Sequence, residues 1–302
     1  MKNAVLLVLG CLGSFALAEM PEPKGKPGTV PAASVDPLVR KVQAMIETGG
    51  TLTAESFAKS VNAPKSSTVV LIPPANAPLR GREIARRAAS AYVRAGWVYQ
   101  CTRCTRWHTN LAGGYAIAKD TVATAFHVMQ KPATMAGNRG CPVVVRGNDE
   151  VLPLASVVAS SEVGDTIVMR LAEKILRPLA LSTDAQVGDD AYCLSDPRGV
   201  RGFFSHGMVN RFYPSEPKLA ANPKLQRMNV STDWAPGSSG SAVLDEYGNI
   251  IGHVARIQPL TVGGSTGKDE HSGNPVSSVM TLNEAVPARL VLDLIKQAVG
   301  DR

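Results

Sequence analysis

Charged and aromatic residues are both sparse in this chain, and it contains only one long apolar run. Asp, Glu, Lys and Arg make up 19% of its 302 residues and aromatic side chains 5%, and the formal net charge is +7. This positive charge is too mild to indicate a nucleic-acid ligand. Arginines cluster between residues 80 and 106, but no nucleic-acid motif or interleaved aromatics accompany them. We interpret the cluster as a solvated basic face and expect no nucleic-acid partner.

The long apolar run lies at the N-terminus. Lys2 precedes AVLLVLGCLGSFALA, and Ala16-Leu17-Ala18 has the A-x-A form of a cleavage site. Residues 1–18 are therefore predicted to be a secretory signal peptide cleaved after Ala18. The run is shorter than the roughly 20 residues of a membrane span. A lipoprotein signal at Cys11 is the alternative, but Leu9 fits that pattern poorly. We expect a secreted or periplasmic protein without stable membrane insertion, and the sequence assigns no oligomeric state.

The remaining chain divides into two parts. Residues 19–80 open with a stretch rich in Pro, Gly and Lys that is typical of a disordered linker, and continue with helical spacing and a helix start at Thr53. They are predicted to be an N-terminal extension. Residues 81–302 alternate short apolar runs with Gly, Pro and Asp, which indicates an all-β barrel or sandwich. Apolar positions at helical spacing over about 283–299 predict a C-terminal helix.

The segment APGSSGSAVL, residues 235–244, contains the candidate nucleophile. Its Gly/Ser run is too short for a typical linker and passes directly into an apolar strand. A serine hydroxyl needs a base, a group that orients the base, and donors for the oxyanion. Ser239 is predicted to be the nucleophile on a tight turn that Gly237 permits. The backbone N–H groups of Gly237 and Ser239 are predicted to form the oxyanion hole.

Two further residues have the types that this chemistry requires. His127 follows Thr124-Ala125-Phe126 at the end of an apolar strand, where a histidine is held by packing but open on one side. Asp165 begins the largely apolar strand DTIVMRL, where a carboxylate can accept from an imidazole and fix its tautomer. Taken singly, each is more simply a structural histidine or a turn aspartate.

Together, TAFHV, GDTIVMRL and DWAPGSSGSAV resemble in order the three catalytic motifs of chymotrypsin-like (trypsin-like) serine peptidases. The likeness is closest to the bacterial HtrA-like branch, without its PDZ domain. The resemblance implies two six-stranded antiparallel β-barrels with the site in the cleft between them. It implies His127 as general base, Asp165 as its orienting acid and Ser239 as acyl-forming nucleophile. Ser238 replaces the Asp of cleavage-activated relatives, so activation by burial of a new N-terminus is not expected.

The substrate pocket is less well defined by the sequence. Asp233 lies six residues before Ser239. In trypsin-like enzymes an acid at this spacing selects Arg or Lys. In HtrA-like enzymes an aspartate before the serine motif lacks that role, and for Asp233 we favour this second, structural interpretation. The strand His253-Val254-Ala255 is predicted to form a pocket wall. For His253 itself we favour a structural role over contact with substrate.

Four cysteines remain after the predicted signal, and two of them form the pattern Cys101-x-x-Cys104-x-x-x-His108. In an exported protein we expect a local disulfide. The alternatives are zinc bound by Cys101, Cys104 and His108, with Cys141 as a candidate fourth ligand, and a redox-active pair, which lacks the βαβ context. Cys193 lies in an apolar strand and is predicted to be a buried small hydrophobe.

These observations predict an exported serine endopeptidase that acts on proteins or peptides through an acyl-enzyme. That chemistry requires no cofactor, and no catalytic metal is expected. The alternatives are a catalytically idle binding protein on the same fold and an esterase that uses the same triad.

Overall fold

The computed structural model describes residues 36–64, 68–147, 149–216, 221–261 and 278–300. The predicted signal peptide and almost all of the predicted linker lie outside these ranges. Within them, every helix is too short or too polar to span a lipid bilayer.

The first sheet contains seven antiparallel strands in the order β5-β4-β1-β2-β3-β7-β6. They are β1 (Tyr92–Cys101), β2 (Trp107–Ala118), β3 (Thr121–Thr124), β4 (Met135–Arg146), β5 (Glu150–Leu152), β6 (Leu154–Ser161) and β7 (Thr166–Leu171). The two edge strands, β5 and β6, are separated in the chain by Pro153 alone. Proline has no N–H for the ladder and interrupts the strand there. One bent segment therefore joins both edges, and this barrel-like sheet is called the first barrel below.

The second sheet is a closed barrel of six antiparallel strands in the order β10-β13-β12-β11-β8-β9. They are β8 (Asp190–Ser195), β9 (Phe203–Pro214), β10 (Gln226–Val230), β11 (Ala242–Leu244), β12 (Ile250–Thr261) and β13 (Ser278–Pro287). The predicted fold class, two six-stranded antiparallel β-barrels, is confirmed.

The first helix, α1 (Pro37–Glu47), covers one face of the first sheet. It starts after Asp36, whose carboxylate accepts the Leu38 N–H at 2.9 Å and so satisfies an otherwise unpaired donor. The apolar positions at helical spacing face inward and pack on strands β1 and β4. This cluster comprises Leu38, Val39, Val42, Val98, Cys141, Val143 and Val145.

The second helix, α2 (Ala54–Asn62), packs on the same barrel. The Thr53 hydroxyl caps it by accepting the Ser56 N–H at 3.1 Å, as its sequence predicts. Phe57 is 3% exposed, and its ring meets Trp97 edge-on with centroids 5.7 Å apart. The described helices of the predicted extension are thus part of the hydrophobic core of the first barrel.

The segment before α3 (Gly81–Ala91) is tied to the second barrel by a pair of hydrogen bonds. The Ala75 N–H donates to Asn249 Oδ1 at 2.8 Å, and Asn249 Nδ2 donates to the Ala75 carbonyl at 2.9 Å. Because Asn249 is itself buried, these bonds satisfy an amide that burial would otherwise leave unpaired.

The C-terminal helix α4 (Ala288–Gly300) begins later than the apolar spacing suggests. The residues from Asn283 to Pro287 pair with β12 instead, because their backbone groups complete the ladder of the second barrel. Ala288, Val291 and Ile295 then bury one face of the helix in the main core.

We expect Phe57→Ala to lower the free energy of unfolding by about 3–5 kcal/mol, because it removes a buried aromatic side chain and leaves a cavity beside Trp97. Urea denaturation followed by tryptophan fluorescence measures this loss. Lys59→Ala is the control on the same helix, since the Lys59 side chain is 76% exposed, and it should change stability little. Equal losses in the two variants would mean that α2 does not contribute to the core.

Candidate functional site

His127 lies in a single 3₁₀ turn, Phe126–Met129, directly after β3. Asp165 contacts it twice: Nδ1 of the imidazole lies 3.0 Å from both carboxylate oxygens, and the His127 backbone N–H donates to Oδ1 at 3.0 Å. An ionised carboxylate can only accept, so the imidazole proton resides on Nδ1. Nε2 is left as the basic atom of a side chain that is 42% exposed.

Burial and the neighbouring His127 shift the pKa of Asp165 in opposite directions. Burial raises its pKa, but the hydrogen bonds and the positive charge offered by His127 outweigh burial, and the pKa of this carboxyl lies below its ordinary value. The residue also adopts a left-handed backbone, with φ +48°. A non-glycine residue in this conformation is strained and persists only where its surroundings hold it.

His253 contacts Asp165 and helps to hold its backbone in this conformation. Its side chain is fully buried, Nε2 lies 3.0 Å from the Asp165 carbonyl oxygen, and Nδ1 lies 3.1 Å from the Tyr115 hydroxyl. A carbonyl only accepts, so Nε2 carries the proton and Nδ1 accepts from the tyrosine. Burial lowers the pKa of His253 to about 4, which keeps it neutral. The His253 side chain thus contacts the aspartate and has no exposed surface, and the pocket wall expected from its strand stays a prediction.

The turn that carries Ser239 is held from below. Gly237 has φ +102°, and a Cβ there would lie 2.7 Å from the Asp196 carbonyl oxygen, so only glycine fits. Ser238 is fully buried and its hydroxyl lies 3.0 Å from the Ser195 hydroxyl. The turn is therefore fixed by an uncharged hydrogen bond to the end of β8.

Two backbone N–H groups in this turn have no hydrogen-bond acceptor among the described residues. The N–H groups of Ser238, Gly240 and Ser241 donate to carbonyl oxygens within 3.0 Å. In the described part of the chain, by contrast, the N–H groups of Gly237 and Ser239 have no intramolecular acceptor. These are the two donors that the sequence assigns to an oxyanion hole.

The serine turn packs directly on the strand that leads to His127. A Cβ on Gly240, which has φ +75°, would lie 2.0 Å from Thr124 Oγ1 and 3.0 Å from the Ala125 nitrogen. The residue after Ser239 thus touches the chain two residues before His127. Among the described side chains there is no hydrogen bond between Ser239 Oγ and His127 Nε2, a bond that is often long in a free enzyme and tightens with substrate.

The other residues predicted for the pocket, Asp233, Val254 and Ala255, differ in their exposure to solvent. Asp233 is exposed, and its backbone carbonyl accepts from Ser205 Oγ at 3.4 Å. Val254 and Ala255 are 2% and 5% exposed: Val254 packs in the core of the second barrel, and Ala255 packs with Val286 and Leu290. The Val254 backbone adjoins the serine turn, because its carbonyl accepts the Gly240 N–H at 2.7 Å.

In the structure Cys101, Cys104, Cys141 and Cys193 are free thiols, so the predicted disulfide is not shown. Cys141 lies opposite Val98 in the sheet and under α1, apart from the other two in the motif. Burial raises the pKa of Cys141 and of Cys193 to about 12, so both are neutral thiols. Sγ of Cys101, Sγ of Cys104 and Nε2 of His108 all lie within 4.8 Å of one another.

The two barrels and the His–Asp pair beside a glycine-rich serine turn define a domain of the chymotrypsin type. Residues 112–252 match the family model described as a trypsin-like peptidase domain. The structure is similar to that of a serine endoprotease from Yersinia pestis, with a TM-score of 0.50 and 16% sequence identity over 75% of this chain and 69% of that one. No curated protein sequence matches. The likeness to the solved structure is one of fold, and with the family match it confirms the predicted resemblance to chymotrypsin-like serine peptidases.

The contacts of His253 with Asp165 and of Tyr115 with His253 were not predicted from the sequence. Gly113, in strand β2, was one sequence signal that another part of the chain approaches this strand closely. A glycine inside a strand commonly marks the near approach of another backbone. A Cβ on Gly113 would lie 2.0 Å from Ser241 Oγ.

We expect Gly240→Ala to destabilise the fold by roughly 2–5 kcal/mol, because it combines a left-handed backbone with a clash that rigid neighbours cannot relieve. Gly248→Ala is the matched control: Gly248 also has φ +75°, but its Cβ would meet the flexible ends of Arg87 and Leu79 at 3.1 and 3.2 Å. The Gly248→Ala variant should lose only about 1–2 kcal/mol of its free energy of unfolding. Urea unfolding of both variants measures the difference, and equal losses would show that the contact between Gly240 and Thr124 is not tight.

Proposed function

We propose that this chain is a serine endopeptidase that hydrolyses peptide bonds in proteins or peptides through an acyl-enzyme. The observation that carries the proposal is the His127–Asp165 pair, joined at 3.0 Å through Nδ1, beside a serine turn with two free backbone donors. This arrangement supplies a base, a group that orients it and an oxyanion site, the requirements for a serine nucleophile.

In the proposed reaction, His127 Nε2 takes the proton from Ser239 Oγ as that oxygen attacks the substrate carbonyl carbon. The carboxylate of Asp165 stabilises the imidazolium that forms and keeps the ring in place. The N–H groups of Gly237 and Ser239 donate to the oxyanion of the tetrahedral intermediate. His127 then gives its proton to the leaving amine, and a water molecule activated by the same imidazole hydrolyses the acyl-enzyme.

His253 is proposed as a positioning residue in this mechanism. Its Nε2–H holds the Asp165 carbonyl at 3.0 Å, while the carboxylate of the same residue holds His127. The bond acts on a residue with a strained backbone, so its loss should let Asp165 relax away from the imidazole.

The remaining parts of the proposal concern location and specificity. The signal-like residues 1–18 support export with cleavage after Ala18, to the periplasm or the exterior. Asp233 is proposed to have no role at the base of a pocket for basic side chains. The acyl-transfer chemistry requires no cofactor.

Two other functions remain as outcomes of the test. A binding protein on the same fold would keep the barrels with an idle site, and an esterase would use the same three residues on other acyl groups. The presence of Ser239, His127 and Asp165 together favours a working site over an idle one, because packing alone does not call for these three residue types.

We expect a fluorophosphonate probe to label the folded protein at Ser239 and a peptide library to be cleaved. Ser239→Ala should abolish the label and lower kcat by roughly 10⁶-fold, because the nucleophile is lost. Asp165→Asn should lower kcat by about 10⁴-fold, because the imidazole tautomer changes. Ser90→Ala, a helix-surface serine, is the control and should retain both signals.

Three results would contradict the assignment. An unlabelled but folded wild-type protein would indicate a binding protein. Turnover of small esters without cleavage of any peptide would indicate an esterase. A loss of only a few-fold in Ser239→Ala would place the nucleophile elsewhere.

The buried neutral His253 predicts a specific dependence of stability on pH. Its pKa falls from 6.5 in the unfolded chain to about 4 in the fold. Between these values the unfolded chain binds more protons, so stability should fall as the pH is lowered through that window. From pH 7 to pH 4.5 this effect amounts to roughly 2–3 kcal/mol.

His253→Gln is the matched variant, because an amide can still donate to Asp165 and accept from Tyr115 but cannot titrate. We expect the wild type to lose roughly 2–3 kcal/mol more than the variant between the two pH values, measured by urea denaturation. Parallel losses would mean that His253 does not remain neutral inside the fold.

A further inference from the structure

The tip of the β1–β2 hairpin brings together three metal-ligating side chains that the proposed peptidase chemistry does not use. Cys101 ends β1, Cys104 lies in the turn, and His108 is the second residue of β2. Their two sulfurs and the His108 Nε2 all lie within 4.8 Å of one another, and Cys104 Sγ lies 2.9 Å from that nitrogen. The side chains thus converge on one point at the edge of the first barrel.

The turn places backbone donors on both sulfur atoms. The Arg103 N–H donates to Cys101 Sγ at 3.3 Å, and the Arg106 backbone donates to Cys104. Each donor follows its cysteine by two residues. These donors orient both sulfur atoms within the turn.

The backbone of the turn is closed by its own hydrogen bonds. The Cys101 N–H donates to the Arg106 carbonyl at 2.9 Å, and the Thr105 N–H donates to the Cys101 carbonyl at 3.0 Å. Thr105 adopts φ +58°, an uncommon conformation for a β-branched residue. The ligand atoms are therefore presented by a fixed turn rather than by three independent side chains.

We propose that Cys101, Cys104 and His108 bind one Zn²⁺ ion, with the fourth coordination position taken by water or an external ligand. Zinc prefers thiolate and imidazole ligands, and with Zn–S near 2.3 Å and Zn–N near 2.0 Å the ligand atoms of a tetrahedral site lie roughly 3.3–3.8 Å apart. The spread of up to 4.8 Å among these three atoms needs only small side-chain rotations to reach that geometry.

Cys141 does not supply the fourth ligand. Its thiol is fully buried with Val98, Val143 and α1, and in the described part of the chain no further Cys, His, Asp or Glu joins the cluster. Three protein ligands with one open position are the arrangement of zinc sites that bind an exchangeable ligand.

Zinc at this position would cross-link the two strands of the hairpin. Strand β2 continues from His108 to Gly113 and Tyr115, which contact Ser241 and His253. A metal that binds only the folded chain stabilises it by mass action. The site is independent of the proposed peptidase activity, and its test uses binding rather than turnover.

The test uses the full chain, purified without added reductant and analysed for zinc and for intact mass. We expect one zinc ion per chain and every cysteine in the reduced state, with none in a disulfide. Exchange of Zn²⁺ for Co²⁺ should give a thiolate-to-cobalt charge-transfer band in the near ultraviolet and visible bands of a four-coordinate ion. Alkylation of Cys101 and Cys104 should be slow in the metal-loaded protein and rapid after chelation, and chelation should lower the melting temperature.

Cys104→Ser and His108→Gln should each weaken zinc binding by at least about 100-fold, since loss even of groups that only support a ligand costs 10–100-fold. Cys193→Ala and His206→Gln are the matched controls, a cysteine and a histidine outside the cluster, and should bind zinc as the wild type does. A mass lower by two hydrogens, substoichiometric zinc after loading, or equal zinc affinity in ligand and control variants would overturn the proposal.

Discussion

The two barrels meet at a contact that leaves no room for side-chain atoms. Gly113 of the first barrel lies against Ser241, and Gly240 lies against Thr124, whose hydroxyl donates to the Gly113 carbonyl at 2.7 Å. This contact sets the distance between the serine turn, which belongs to the second barrel, and the histidine, which belongs to the first. A displacement of about 1 Å between reacting groups can cost 10²-fold in rate. Any chemistry shared by the two barrels therefore depends on the two glycines.

A second constraint crosses the interface as a chain of hydrogen bonds. Tyr115 donates to His253, His253 donates to the carbonyl of Asp165, and His127 donates to the carboxylate of Asp165. The bond from Tyr115 requires that His253 remain neutral, because a doubly protonated imidazole has no atom with which to accept from the tyrosine hydroxyl. Burial lowers the pKa of His253 and leaves its Nδ1 able to accept from Tyr115, while its Nε2–H holds the carbonyl of Asp165 and His127 holds the carboxylate.

The sequence predicts those parts of the site that are encoded locally. The histidine at a strand end, the aspartate before an apolar strand and the glycine-rich serine turn are each short patterns, and the fold follows from their order. The orientation of His253 could not be predicted, because β12 has an irregular register between Val254 and Arg256, so alternation does not give its face. The spacing of Cys101, Cys104 and His108 is compatible with the favoured disulfide and with a metal, because spacing alone does not give the positions of the sulfur atoms.

The serine turn also depends on the side chain at position 238. A carboxylate buried there would need a cation to balance it, because an isolated charge is costly to remove from water. Ser238 instead pairs with Ser195 at 3.0 Å, and both hydroxyls are buried. The Arg198 N–H donates to the Pro236 carbonyl at 2.7 Å and holds the turn from a second side. The two free N–H groups are therefore set in place by neutral contacts within the fold, and their arrangement does not require the new charge that cleavage of a precursor would create.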